Sequence, residues 1–163
     1  MITAPSLSPE QVSRIVTDIF SSMVGMELRT DGARRVGGKA GARVAAVVGI
    51  GGPHRYAVVL ETSEKFACRI AEGLSGDEAP AWSSAVEDAF AEIANMTAGN
   101  FKTTLGEKGL FITLPTVIHG VEYFWSAPRL HILLDQRFYC EDEELRVCVG
   151  DEPEGAARRE EPS

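Results

Sequence analysis

The chain has 163 residues, 44% of them hydrophobic, and a formal net charge of −8. One domain with a proper buried core is the expectation at this length and apolar content. The acidic balance argues against nucleic acid and anionic membrane as partners, which need a basic footprint, and no apolar run approaches the roughly 20 residues of a membrane span.

Met1 to Pro9 lacks the basic start and apolar core of a signal peptide, so a cytoplasmic location is expected. Ser8-Pro9-Glu10-Gln11 reads as a helix start, with Ser8 as N-cap, Pro9 at the tolerated first position and Gln11 returning a capping box. Val12, Ile15, Val16, Ile19 and Met23 supply its apolar stripe, and Gly25 ends it. Met26 to Thr30 is a candidate short strand. Asp31 to Arg43, with Arg34, Arg35, Lys39 and Arg43, reads as a Gly- and Arg-rich loop whose charge is either solvated or steers an acidic partner. Val44 to Val48 and Tyr56 to Leu60 are β-branched runs around Gly49-Ile50-Gly51-Gly52-Pro53, the pattern of an antiparallel hairpin. Those glycines read as a turn, because the dinucleotide fingerprint is incomplete and no helix follows. Ser63-Glu64 opens a second helix, with Phe66, Ala67, Ile70 and Leu74 inward and Gly73 and Gly76 near its end.

Gly76 to Ala81 leads into a long central helix, with Pro80 in its first turn and Gly106 to Gly109 as its latest end. At about 100° per residue, Trp82, Val86, Phe90, Ile93, Thr97 and Phe101 fall within an arc of about 100°, the width of a core-facing stripe. Asp88, Glu92, Asn95 and Gly99 stack in a narrow strip on the opposite side, continued backward by Ala81 and Ala85. Asn and Gly both weaken a helix interior, Gly by roughly 1 kcal/mol relative to Ala, so their presence on one strip suggests a face in use. The plainer alternative is a solvated face on a helix that ends early at Gly99-Asn100. Asn100 lies round toward the packed face, where a cap or a structural hydrogen bond suits it.

Strand-like runs follow at Leu110 to Leu114, Thr116 to Val121, Arg129 to Leu134 and Leu145 to Val149, with Phe138 to Cys140 a further short candidate. Pro115 predicts a kink or an edge position between the first two. Asp135-Gln136 and Glu141 to Glu144 read as turns. Cys68, Cys140 and Cys148 have no metal-type spacing and read as reduced core cysteines, although Cys140 and Cys148 are candidates to face each other across a hairpin. His54, His119 and His131 are scattered, without a short-range metal spacing. The expected organisation is one domain over 1–150 and a polar, disordered tail over 151–163. Strands outnumber helices and include hairpin-like neighbours, which predicts an α+β fold of mixed α/β layers, mostly antiparallel sheet packed by long helices.

Glu92-x-x-Asn95, with Asp88 one turn before it and Gly99-Asn100 after it, resembles the signature of the CheC/CheX/FliY family. These are chemotaxis phosphatases that dephosphorylate the response regulator CheY. Glu92 to Lys102 and Leu114-Pro115-Thr116-Val117-Ile118-His119-Gly120 are especially similar to the CheX branch, and the similarity in element order runs from about Val12 to Val149. The CheC branch often carries two active helices. Here the first helix has Ser13, Thr17 and Phe20 at the analogous spacing, which leaves one active helix.

The resemblance implies a two-component signalling phosphatase, a hydrolase acting on a phosphorylated CheY-like receiver, and a homodimer. Glu92 and Asn95 would be the catalytic residues, with Asp88, Gly99, Lys102 and Thr103 as partner contacts. The scattered histidines and the incomplete glycine pattern predict no metal or nucleotide of the chain's own, and the resemblance implies that the receiver supplies Mg²⁺. An uncharged carboxamide can both donate to and accept from a water, so Asn95 would hold the attacking water while Glu92 pairs with a receiver lysine. No nucleophile sits beside a base in the sequence, which leaves a self-contained hydrolase poorly supported. The alternative from a different class is a non-catalytic receiver-binding or scaffold module of the same fold.

Overall fold

The computed structural model describes residues 6–31, 41–121 and 130–152. Helix α1 (Pro9–Ile19) starts on the expected capping box: the Gln11 N–H donates to Ser8 Oγ at 3.1 Å and the Ser8 N–H to Gln11 Oε1 at 2.9 Å. It then widens into one π turn over Phe20–Val24, closed by Gly25 in the left-handed region at φ 73°. The extra residue rotates the apolar stripe, so Phe20 and Val24 turn inward and Met23, expected inside, is 45% exposed. Met26 to Thr30 forms no strand. It makes a single bridge, in which Arg29 and Tyr139 exchange backbone hydrogen bonds at 2.8 and 2.7 Å. Arg34, Arg35 and Lys39 of the basic stretch lie outside the described residues, whereas Arg43 opens the first strand and pairs with Glu61.

The sheet has six strands, all of them antiparallel: β1 (Arg43–Gly51), β2 (Tyr56–Ser63), β3 (Phe111–Ile112), β4 (Thr116–Gly120), β5 (His131–Cys140) and β6 (Glu143–Asp151). The central order is β1-β2-β6-β5, and β3 and β4 share the other side of β1. Pro115 breaks that edge as expected. The reading of Asp135-Gln136 as a turn was wrong, because β5 runs straight through them. Asp135 reaches across to Arg146 of β6 through two hydrogen bonds at 2.9 and 2.8 Å, and this guanidinium holds the Asp135 carboxyl below the usual carboxylate range. Cys140 and Cys148 do not face each other: Cys140 pairs with Glu143 and Cys148 with Asp135. All three cysteines are free, and burial pushes the Cys148 thiol up to about 12.

Val44, Ala46, Val48 and Ile50 of β1, with Val58, Leu60, Val147 and Val149, turn one face of the sheet toward the helices. Helix α2 (Glu64–Ser75) is capped by Ser63 and passes through Gly73 to end at Gly76. A side chain at Gly73 would strike the Val24 carbonyl, so this glycine lets the end of α1 approach closely. Helix α3 (Ser84–Leu105) crosses the same layer. Phe20, Phe66, Phe90, Phe101 and Phe138 are fully buried between the layers, each worth about 1.5–3 kcal/mol over exposure. The result is the expected α+β arrangement, an antiparallel sheet packed by helices.

Candidate active site

The packed face of α3 follows the 3.6-residue arithmetic. Val86, Phe90, Ile93, Thr97 and Phe101 are fully buried, and Thr97 Oγ1 donates to the Ile93 carbonyl at 2.8 Å. Its cap is Ser83, whose Oγ accepts the Val86 N–H, so Pro80 lies ahead of the helix rather than in its first turn. Trp82 also lies ahead of it, stacked on His119 of β4 with ring centroids 4.0 Å apart and planes 7° apart. His119 Nε2 is in turn 2.9 Å from Glu64 Oε2 at the start of α2. The sequence reading missed this clamp. At the far end the helix does not stop at Gly99-Asn100 but continues to Leu105, with Gly106 left-handed at φ 66°. His54 Nδ1 meets Glu107 Oε1 at 2.7 Å, tying that end to the β1–β2 turn. Both ends of α3 are thus fixed to other elements, and its outer face is held in a set orientation.

On that outer face Asp88 and Glu92 are exposed, and Asn95 and Gly99 are half-buried. Glu92 and Asn95 stand about 4.5 Å apart along the axis, at 1.5 Å per residue. Among the described residues neither side chain has a hydrogen-bond or ion-pair partner. Asp88 and Glu92, like charges four apart, repel mildly and give the isolated helix nothing in return. Among the described residues the strip therefore carries a local cost with no side-chain hydrogen bond or ion pair of Glu92 or Asn95 to offset it. The Thr103 hydroxyl donates back to the Gly99 carbonyl at 3.1 Å, and Lys102 lies in the last turn, where a cation complements the helix dipole. Asn100 is exposed, not turned to the packed side, and its Nδ2 donates to the Met96 carbonyl at 2.9 Å. The expected strip of Asp88, Glu92, Asn95 and Gly99 is thus brought together, flanked by Lys102 and Thr103.

Among the described residues no group of His, Cys, Asp and Glu is placed to hold a metal, and no helix is long and apolar enough to cross a membrane. His54, His119 and His131 each lie beside a carboxylate, of Glu107, Glu64 and Asp151.

Comparison with solved structures finds the same fold several times over. The chemotaxis protein CheX of Vibrio vulnificus superposes with a TM-score of 0.74 at 17% identity, over 92% of this chain and 99% of that one. CheX of Desulfovibrio desulfuricans gives 0.69 at 23%, over 86% and 96%. CheX of Borrelia burgdorferi, solved with CheY, BeF3 and Mg²⁺, gives 0.66 at 21%, over 88% and 97%. A comparison with curated protein sequences found no match. The family model described as chemotaxis phosphatase CheX matches residues 44–134, more than half of the chain and the whole of α3. The chain belongs to the CheX family of chemotaxis phosphatases.

Proposed function

We propose that the chain dephosphorylates the aspartyl phosphate of a CheY-like response regulator by inserting Glu92 and Asn95 into the receiver's phosphoryl site, so ending a chemotaxis or motility signal. The observation that carries this is the pair itself: Glu92 exposed and Asn95 half-buried, one turn apart on a helix anchored at both ends, neither with a hydrogen-bond or ion-pair partner among the described residues. An aspartyl phosphate is already an activated acyl phosphate, and its hydrolysis is limited largely by positioning and charge stabilisation. Asn95 accepts a hydrogen bond from the attacking water through its amide oxygen and can donate one through its amide NH2, which orients the water in line with phosphorus. It is no general base. Glu92 pairs with the lysine beside the phosphoryl group and sets the docking register. The metal of this reaction belongs to the receiver. Asp88, Gly99, Lys102 and Thr103 border the contact, and the active species is a homodimer by the family resemblance.

The direct test is phosphate release from phosphorylated CheY-type receivers with and without the chain. Binding without acceleration would make the protein a receiver-binding module instead.

Gly99 offers a separate check. A Cβ there would meet Ile112 Cδ1 at 3.4 Å, an ordinary contact, so Ala fits the fold. Gly99→Ala is expected to stabilise the protein by about 0.4–1 kcal/mol, by thermal or urea unfolding. It is also expected to lower phosphate release, because the added methyl meets the receiver's backbone. Higher stability with full activity would remove Gly99 from the partner contact.

A further inference from the structure

The Leu114-Pro115 stretch between β3 and β4 is built to display one side chain. Ile112 pairs with Ile50 and Thr116 with Val47, so the edge strand spends one residue more than β1 across this gap. That is a β-bulge, a device that re-aims a side chain and recurs beside active sites. Its start is pinned to β1: the Thr113 N–H donates to the Gly49 carbonyl at 2.8 Å, and the Gly49 N–H donates to Thr113 Oγ1 at 2.9 Å. Pro115 holds its own φ and restricts the residue before it. Leu114 sits at the crest, 90% exposed, the most exposed large apolar residue among those described.

The crest adjoins the α3 strip. Two residues before it, Ile112 lies against Gly99, one turn beyond Asn95. The strip is polar and one side chain wide, whereas an interface of ordinary size buries about 800 Å² per partner around a more apolar centre. An apolar side chain on a pinned backbone costs little further ordering on binding. We propose that Leu114 is an apolar docking residue for the same phosphorylated receiver, entering a depression beside the phosphoryl site while Glu92 and Asn95 enter the site itself. The inference rests on the dephosphorylation reading for the identity of the partner. Leu114 touches no reacting atom, so its effect falls on KM rather than kcat.

The test uses the full chain, its Leu114→Ser and Leu114→Met variants, and the CheY-type receivers of the source organism phosphorylated with acetyl phosphate. Leu114→Ser is expected to raise KM about tenfold with kcat and sedimentation behaviour unchanged, and Leu114→Met to restore KM. An unchanged KM in the Ser variant overturns the docking role. So does a change in self-association, which would assign Leu114 to a contact between copies. An inactive wild type defeats the dephosphorylation reading instead. Affinity for receivers loaded with beryllofluoride then decides: equal binding by wild type and Leu114→Ser, or binding by neither, overturns the docking role as well.

Discussion

Asn95→Ala is expected to slow receiver dephosphorylation about tenfold or more, on the order of 1.4 kcal/mol of barrier. The Asn95 side chain has no hydrogen-bond or ion-pair partner among the described residues, so its removal breaks no polar contact there. The helix itself should gain slightly, because Ala is the better helix former. Activity and stability thus move in opposite directions, which a structural role for Asn95 would not produce. Phosphate release at saturating receiver, with circular dichroism and thermal unfolding as controls, reads both. The fall belongs in kcat, since holding the attacking water matters in the transition state more than in binding. Unchanged turnover in a folded variant would remove the water-positioning role.

Glu92→Gln is expected to weaken productive docking more than turnover, and to flatten its salt dependence. Exposed ion pairs are usually worth under about 1 kcal/mol. One desolvated in a cleft can cost about 2–5 kcal/mol when a partner is removed, much of it from the charge left unpaired. Glu92 is exposed in the free chain and has no cation of its own among the described residues, so the larger figure applies only if the receiver buries it. The measurement is a double-mutant cycle with the receiver lysine changed to Met, read by phosphate release and by affinity for the beryllofluoride-loaded receiver. Strong coupling supports the pair in trans. Additive losses would return Glu92 to a solvated helix face.

Features governed by local geometry were legible in the residues alone. The capping box at Ser8 and Gln11, the cap at Ser63, the β1–β2 hairpin and the two faces of α3 all depend on neighbours a few positions apart. The candidate site falls in this class, because four positions along one strip of one helix, three side chains and a glycine, need only the helical period to meet. The positions decided elsewhere are those where a distant partner outweighs local preference. Asp135 reads as a turn residue until Arg146 on β6 offers its guanidinium, which makes a polar position inside a strand favourable. Trp82 fits the apolar stripe by angle, yet the Ser83 cap ends the helix first and the ring stacks on His119 from another strand. Met23 continues the stripe on paper, but a π turn packed beneath Gly73 rotates it into solvent. Sequence placed Leu114 in a strand with a break after it. Only the pairing of both flanking segments with β1 reveals the extra residue, because a register is a property of two strands and cannot be read from one.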